Sequence, residues 1–442
     1  MSKRLYLLMI LFFIVAISGC NDGDEISGPS HVPSDAIVKM GGIFPFTGPL
    51  NPFGKPMHQA ALLAVKHLNE AGFPVGWSVE DSNSNAEAGM EAAHLLVQKG
   101  QAQVIIGAAG STVTIAIAEN VSIPNQVPQI SPSSTSPKMT TLAADENQDF
   151  LFRTIPSDDL QGAILARLAF GSLQHAVLPS SVQTGYKRVS VLYVDNDYGQ
   201  GLNEFFTQNF YALGGEQVVS VPHAEVSEKD LENKSVLRDV LLPSLQQAYT
   251  GETEVLVAMS YPAYAEVFIE ETIKNKWFDK FLFVDGTKSP DIIETVGATN
   301  LNGMCGTAPG SVSTESLDIF DASYRAEYGY VEEELPLFTS NTYDAVIIAG
   351  LAAYAAQAIG ESVNSISIRN YLRSVADPDG QKAIAGPTGF KRAMKTLDAG
   401  LTINYQGASG EVNFDQHGDI VAPIEIWCFQ NGKIVSQGLE QR

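Results

Sequence analysis

The chain has 442 residues, a length that usually divides into two or three domains. Hydrophobic residues make up 45% and charged residues 17%, which is enough apolar surface to bury a large core and excludes an intrinsically disordered chain. Lysine and arginine number 27 against 50 aspartates and glutamates, a net charge of −23, and this acidity argues against a nucleic-acid partner because phosphates need a basic surface.

The N-terminus is typical of a secretory signal. Two basic residues precede an unbroken apolar run, Leu5–Ile17, which is shorter than the roughly 20 residues that a membrane-spanning helix needs. The run ends in Ile17-Ser18-Gly19-Cys20, which resembles the lipobox of bacterial lipoproteins. That resemblance implies a signal peptide over residues 1–19, a lipid on Cys20 that anchors the protein at a membrane, and a flexible tether over residues 20–37. An ordinary signal with a chance cysteine is the alternative.

Strand-like and helix-like segments alternate from Val38 onward. We expect strands over Val38–Phe46, Trp77–Glu80, Val104–Ile106 and Val127–Ile130, and helices over Gly54–Asn69 and Ala86–Lys99. Such alternation predicts a parallel sheet with helices on both faces.

The same pattern starts again after Phe152-Arg153-Thr154. Strands are expected over Val189–Val194, Glu216–Val219, Val255–Met259 and Phe281–Val284, and helices over Gly201–Leu213, Leu237–Tyr249 and Ala265–Lys276. The two halves open alike, which favours two lobes of one architecture. The remainder predicts helices over Tyr343–Ile359 and Ile366–Val375, then short strands over Gly410–Phe414, Ile424–Phe429 and Ile434–Ser436.

The sequence stretches that resemble catalytic motifs do not meet the requirements of those motifs. Gly48 and Gly54-Lys55 are spaced one residue too far apart for a phosphate loop, and Pro56 stands where a metal-binding hydroxyl is required. The histidines are scattered without metal-ligand spacing, and no nucleophile elbow is present. We therefore predict a protein that is not an enzyme and that uses no cofactor or metal.

Two loops are candidates for binding a ligand. Gly107–Thr112 and Ile130–Pro137 each follow a predicted strand and offer small residues, hydroxyls and backbone amides. In open α/β sheets the ligand binds at the carboxyl ends of the strands, and amides at a helix start attract an anion. Capped helix starts or polar linkers are the alternative interpretation.

Three further loops follow strands of the second half. They contain Tyr198 beside an aspartate, Tyr261 between a serine and a proline, and Asp285 before a glycine. The tyrosines could be packing residues and Asp285 a helix cap. Taken together, amides and hydroxyls on one lobe with a carboxylate on the other suit a zwitterion, whose carboxylate and ammonium need opposite partners.

The chain resembles the type I periplasmic solute-binding proteins of the branched-chain amino-acid (leucine/isoleucine/valine) ABC-transporter family. The resemblance runs from Val38 to the C-terminus and is carried by the order and spacing of Gly42–Pro49, Phe53-Gly54, Asn69–Gly72, Val104–Gly107, Val127–Pro137, Phe152–Asp158, Asp197–Gly201 and Tyr343–Ala345. It implies an α/β fold of two Rossmann-like lobes, joined by three crossovers, that close over a ligand. One lobe would comprise residues 38–154 and 309–423, and the other residues 155–308 and 424–442.

The resemblance also implies roles for seven residues. Ser111 and Thr135 would hold a ligand carboxylate, while Thr135, a carbonyl near Ser133 and Asp285 would hold an ammonium. Tyr261 would lie near the carboxylate, and Tyr198 and Phe53 in the pocket for the ligand side chain. Leucine-type binders carry Glu where this chain has Asp285, and the stretch Gly171–Lys187 is longer than usual and is expected to form a surface excursion.

Two cysteines remain besides Cys20. An even pair in an exported protein suggests a disulfide, with two separate buried thiols as the alternative. The lobe layout implied by the resemblance would put Cys305 and Cys428 on adjacent strands.

The function expected from the resemblance is that of a lipid-anchored solute-binding protein. It would lie in the periplasm or at the cell surface and deliver an amino acid or similar small polar ligand to an ABC permease. A sensory lipoprotein or an amide or urea binder on the same fold is the alternative. An enzyme and a scaffold that has lost binding are disfavoured, the first by the missing nucleophile and base and the second by the intact site residues.

Overall fold

The computed structural model describes residues 35–180, 182–331 and 334–441. The predicted signal peptide and Cys20 lie outside these ranges. Within them, no helix combines the length and the apolar character that crossing a membrane requires.

The first sheet has five parallel strands in the order β2-β1-β3-β4-β5. They are β1 (Val38–Phe44), β2 (Val75–Asp81), β3 (Val104–Gly107), β4 (Gln129–Ser131) and β5 (Leu151–Arg153). The helices between them are α1 (Asn51–Ala71), α2 (Ala86–His94) and α3 (Ser111–Ile117). Strands β3, β4 and β5 are short and wholly buried, as expected where helices cover both faces of a parallel sheet.

The second sheet has seven strands in the order β14-β13-β10-β9-β8-β6-β7. They are β6 (Arg188–Val194), β7 (Gln217–His223), β8 (Val255–Met259), β9 (Phe281–Phe283), β10 (Cys305–Pro309), β13 (Ile424–Gln430) and β14 (Lys433–Glu440). The first five are parallel, and the last two form an antiparallel edge. Seven helices accompany this sheet: α4 (Asp158–Phe170), α5 (Asp197–Ala212), α6 (Glu228–Leu231), α7 (Lys234–Ala248), α8 (Pro262–Asn275), α9 (Asp291–Val296) and α10 (Ala298–Leu301).

The segment between β10 and β13 packs back onto the first sheet. It comprises α11 (Glu315–Tyr328), α12 (Thr339–Ala358), α13 (Ser365–Tyr371), β11 (Gln381–Ile384), α14 (Gly386–Asp398) and β12 (Ile403–Gln406). The alanine-rich α12 is buried almost all round and packs against α1, α13 and α14. The first sheet with α1–α3 and α11–α14 forms the first lobe, and the second sheet with α4–α10 forms the second.

Two lobes with parallel central sheets confirm the predicted fold class. The chain passes between the lobes three times, between β5 and α4, between β10 and α11, and between β12 and β13. We place the lobe boundaries in these three connections.

Several local predictions were wrong. The expected strand over Gly410–Phe414 is reduced to a single bridge between Gln406 and Glu411, because the positive φ of Gly410 (126°) turns the chain. The helix expected over Ile366–Val375 ends at Tyr371. Helices α4, α11 and α14 were not predicted.

The surface excursion over residues 171–187 is fixed from the far end of the chain. One carboxylate oxygen of Glu440, Oε1, accepts hydrogen bonds from the backbone amides of Gln174, His175 and Ala176 at 2.6–2.9 Å. Glu440 is fully buried on β14. The last strand therefore anchors an otherwise irregular stretch.

The two cysteines form a disulfide with an S–S distance of 2.02 Å. Cys305 on β10 and Cys428 on β13 are directly paired in the antiparallel register, and both are buried. The bond links the parallel part of the second sheet to its antiparallel edge.

Replacing both cysteines with serine should lower the free energy of unfolding by about 4–5 kcal/mol, because the cross-link spans a separation of 123 residues and restricts the unfolded chain. Urea denaturation of the wild type with and without reductant, beside the C305S/C428S variant, measures this loss. The reduced wild type should match the variant; equal stability of all three would contradict the prediction.

Candidate functional site

A small, partly open pocket of about 30 Å³ lies between the two lobes. The first lobe contributes Leu50, Phe53, Ala109, Gly110, Ser111, Ser133 and Phe338, and the second lobe contributes Tyr198, Tyr261, Asp285 and Gly286. Six of the seven residues expected to bind a ligand line it: Phe53, Ser111, Ser133, Tyr198, Tyr261 and Asp285. Thr135 does not.

The first lobe presents a turn of small residues after β3. Gly107 has φ of 132°, and a Cβ there would lie 2.4 Å from the Ile43 carbonyl oxygen, so glycine is required. The Thr114 hydroxyl accepts from Ala108 N at 3.0 Å and donates to Ala108 O at 3.1 Å, which fixes the turn. The pocket wall made by residues 109–111 is therefore rigid before any ligand arrives.

Hydroxyl groups from the loop after β4 and from the first residue of α3 lie at this wall. The Ser133 hydroxyl donates to Ala109 O at 3.2 Å, and the Ser111 hydroxyl accepts from Ser136 N at 3.2 Å. A hydroxyl that accepts one hydrogen bond still has a proton to donate. Ser111 can therefore donate to an anionic group in the pocket.

The second lobe presents Asp285 at the end of β9. Its Oδ1 accepts from the Tyr198 hydroxyl at 2.6 Å and from Gln161 Nε2 at 2.8 Å. Next to it, Gly286 leaves room for this arrangement, since a Cβ there would lie 2.5 Å from the Ser260 carbonyl oxygen. The carboxylate is thus held in one orientation against the pocket.

The tyrosines stiffen the same wall. Tyr198 and Tyr261 are stacked, with ring centroids 5.9 Å apart and an interplanar angle of 13°. The Tyr261 hydroxyl accepts from Asn196 Nδ2 at 2.9 Å. Burial and the nearby Asp285 hold the pKa of Tyr198 well above its usual value, so its hydroxyl stays a donor. Burial also raises the pKa of Asp285, although its hydrogen bonds oppose that rise.

The other end of the pocket is apolar. Phe53 at the start of α1 and Phe338 before α12 meet edge to face, with centroids 5.2 Å apart, and Leu50 lies beside them in the lining. Phe338 has φ of 68°, a left-handed conformation that is costly for a phenylalanine. Its carbonyl accepts from the amide and the hydroxyl of Thr342, at 2.9 and 2.7 Å, which holds the strained residue at the helix start. Neither Leu50 nor Phe338 was singled out from the sequence.

Thr135 lies behind the pocket rather than in it. Its hydroxyl donates to Asp158 Oδ2 at 2.8 Å, and its carbonyl accepts from Asp158 N at 2.8 Å. The hydroxyl and the carbonyl of Thr135 therefore both bind the first residue of α4 instead of facing the pocket. Nothing in the sequence indicated the role of Asp158.

A buried arginine holds the loop that carries Thr135. The Arg153 side chain is 1% exposed, and all five of its N–H donors are used. Nε and one Nη2 proton reach Asp419 at 2.7 Å, the other Nη2 proton reaches Thr140 at 2.7 Å, and Nη1 reaches the carbonyls of Thr135 and Ser136 at 3.0 Å. One side chain thus ties the loop after β4 to the first and third connections between the lobes.

Asp197 joins the lobes across the cleft. Its carboxylate pairs with Lys138 Nζ at 2.9 Å, its carbonyl accepts from the Ser136 hydroxyl at 2.9 Å, and its amide donates to the Thr112 hydroxyl at 3.1 Å. All three partners belong to the first lobe. The described structure is therefore the closed arrangement of the lobes.

In the described part of the chain, no cluster of His, Cys, Asp or Glu has the grouping that a metal ion requires.

The periplasmic binding protein family matches residues 37–405 of this chain. The chain belongs to that family, whose members bind small solutes outside the cytoplasm and are not enzymes as a class. A pocket with one polar and one apolar end is in keeping with the binding of a small solute.

Proteins similar to this chain carry different roles in their names. The substrate-binding protein BasB of a chemotactic signal transduction system in Halobacterium salinarum is 25% identical over 414 residues, covering 92% of this chain and 89% of that protein. A leucine binding protein from Thermotoga maritima has a TM-score of 0.71 at 22% identity, over 92% of this chain and 99% of its own. A solute binding protein of an ABC transporter from R. palustris, solved with benzoate, has a TM-score of 0.67 at 16% identity, over 91% of this chain and 96% of its own. The two structures establish the fold alone.

Replacing Arg153 with lysine should destabilise the protein by about 3 kcal/mol, because Asp419 loses a two-point partner and two carbonyls lose their donors inside the protein. Thermal or urea unfolding measures the loss. Arg373→Lys is the matched control: Arg373 makes a similar two-point pair with Asp149, but both side chains are about one-third exposed, and the change should cost about 1 kcal/mol or less. Equal losses would contradict the role given to Arg153.

Proposed function

We propose that this protein is an extracytoplasmic solute-binding protein that takes an α-amino acid with an apolar side chain between its lobes, where the pocket of about 30 Å³ would widen to accommodate it. In this proposal it hands the amino acid to an ABC permease and is held at the membrane by a lipid on Cys20. The ligand would bind reversibly and undergo no chemistry. Asp285, Ser111 and the Phe53–Phe338 end would recognise three different parts of the ligand.

The proposal rests on one observation, the buried carboxylate of Asp285 in the pocket. Its carboxylate lines the pocket and is 2% exposed, and no lysine, arginine or histidine is present among the described residues of the lining. Tyr198 and Gln161 give it hydrogen bonds but no countercharge, and a buried charge is costly unless it is paired as well as hydrogen-bonded. An ammonium group supplies both charge and donors, which makes it the favoured partner at this position.

The first lobe suits the opposite charge. The rigid turn over residues 109–111 and the Ser111 hydroxyl face the pocket from the side opposite Asp285. A ligand with a carboxylate next to its ammonium would meet both walls at once, which favours the closed arrangement over the open one because the ligand contacts both lobes only when they are closed.

The apolar end of the pocket would bind the third part of the ligand, its side chain. This end is formed by Leu50, Phe53 and Phe338. They offer no charge and only carbon surface to the pocket, so they favour an aliphatic or aromatic side chain. Because Asp285 is shorter by one methylene than glutamate, the ammonium would sit closer to β9 than a glutamate would allow.

Benzoate, the ligand in the R. palustris structure, fits this pocket less well. A benzoate could occupy the carboxylate and apolar ends, but it has no cationic nitrogen for Asp285. Its binding would leave that buried carboxylate without a countercharge.

A sensory role is the second candidate. The relative from Halobacterium salinarum belongs to a chemotactic system and covers most of this chain, and it would use the same cleft. Loss of ligand uptake in a deletion strain supports transport, whereas intact uptake with lost chemotaxis toward the ligand supports sensing.

Isothermal titration calorimetry should show binding of L-leucine, L-isoleucine or L-valine and no binding of benzoate. Asp285→Asn should weaken leucine binding by about 1.5–3 kcal/mol, more than tenfold, because a hydrogen bond between charged groups is lost. Ser111→Ala should weaken it by about 1–3 kcal/mol for the corresponding loss at the carboxylate.

Asp195→Asn is the matched control for this experiment. Asp195 is an exposed carboxylate directly after β6, at the same edge of the sheet but outside the pocket lining. Its replacement should leave the affinity for leucine unchanged. Unchanged affinity in Asp285→Asn, or binding of benzoate alone, would overturn the proposed ligand class.

A further inference from the structure

Asp158 is a second buried carboxyl group in the wall behind the pocket. It is the first residue of α4, directly after the first connection between the lobes, and its side chain is 0% exposed. Thr135 donates to its Oδ2 at 2.8 Å. Among the described residues, its Oδ1 has no hydrogen-bond partner.

Gln161 lies one turn further along α4 and is also buried. Its Nε2 donates to Asp285 Oδ1 at 2.8 Å, which leaves its Oε1 without a partner in the described part of the chain. Asp158 Oδ1 and Gln161 Oε1 are both acceptors when Asp158 is ionised. Thr307, whose carbonyl also accepts from Gln161 at 3.4 Å, has a buried hydroxyl that is likewise unpartnered. Because that hydroxyl makes no hydrogen bond, both acceptors lack a donor among the described residues.

Charged and titratable groups reach Asp158 from four elements. β5 contributes Arg153, α4 contributes Asp159, α5 contributes Tyr198, and the turn after β9 contributes Asp285. Arg153 is the sole cation of this set, and all its donors are used by other groups. Burial and the neighbouring Asp285 hold the pKa of Asp158 well above its usual value. The geometry and the charges therefore agree that a proton is the missing donor.

We propose that Asp158 carries a proton on Oδ1 in the ligand-free cleft, and that an ammonium group bound at Asp285 displaces it. On binding, the O–H bond of Asp158 breaks and its proton passes to solvent, while the ligand nitrogen stays protonated. The ligand ammonium thereby replaces the proton as the positive partner of the two carboxyl groups, and the ligand carboxylate is bound separately by the first lobe. Asp158 is thus a specificity-determining residue: it distinguishes a cationic nitrogen, which can displace the proton, from a neutral amide, which cannot.

This inference has two halves. The first, a proton on Asp158 in the ligand-free cleft, is independent of the proposed function. The second, displacement of that proton by an ammonium group, rests on the proposed function. Infrared spectroscopy of the ligand-free protein at neutral pH tests the first half, because a protonated carboxylic acid has its own C=O stretching band. We expect that band in the wild type and in Asp195→Asn, the exposed carboxylate outside the pocket lining that is also the control for leucine binding. We expect the band to be lost in Asp158→Asn. No such band in the wild type, or its persistence in Asp158→Asn, would overturn the inference.

Calorimetry with L-leucine as probe tests the second half. Titrations in two buffers of different ionisation enthalpy should show release of up to one proton per leucine by the wild type and by Asp195→Asn, and none by Asp158→Asn. One-proton release makes the affinity of the wild type fall by up to about tenfold for each pH unit of acidification, while the affinity of Asp158→Asn should change little.

The failures of the two proposals are distinguishable. An infrared band without leucine binding would contradict the proposed ligand and leave the protonated Asp158 standing. Leucine binding without proton release would contradict the role of Asp158 and leave the proposed function standing. If Asp158→Asn does not fold, the wild type still decides, because leucine should abolish its carboxylic-acid band and retention of the band would overturn the exchange.

Discussion

A buried carboxylate at the meeting point of two lobes is the constraint on which this structure depends. Asp285 is held by Tyr198 and Gln161 on the second lobe, and it faces a wall of amides and hydroxyls on the first. A negative charge on the second lobe and hydrogen-bond donors on the first favour a ligand that carries both an ammonium and a carboxylate. Closure of the lobes is then linked to the ligand, because neither wall alone can satisfy a zwitterion.

The rest of the molecule keeps the two walls in register. Arg153 binds both the loop after β4 and Asp419, and so it links the pocket wall to the third connection between the lobes. Asp197 contacts the same loop from the other lobe when the cleft is closed. The disulfide between β10 and β13 stiffens the second sheet where two of the three connections join it.

The sequence predicted those features that depend on local order. Alternating strands and helices place strand ends at one edge of each sheet, and this rule alone brings Ser111, Tyr198 and Asp285 to the cleft. Phe338 could not be predicted, because its left-handed backbone is unfavourable for its residue type and is imposed by packing at the start of α12. The orientation of Thr135 depends on Arg153, whose partner Asp419 lies 266 residues away, a distance that no local pattern spans.

Comparing L-leucine with isocaproate, which is leucine without its amino group, tests the central claim most directly. The two compounds share the carboxylate and the apolar chain, so any difference in affinity measures the site for the ammonium group. We predict that calorimetry will show leucine binding at least tenfold more tightly, as a hydrogen-bonded charge pair of about 1.5–3 kcal/mol requires. Equal affinities would contradict the assignment of Asp285 as the partner of a cationic nitrogen.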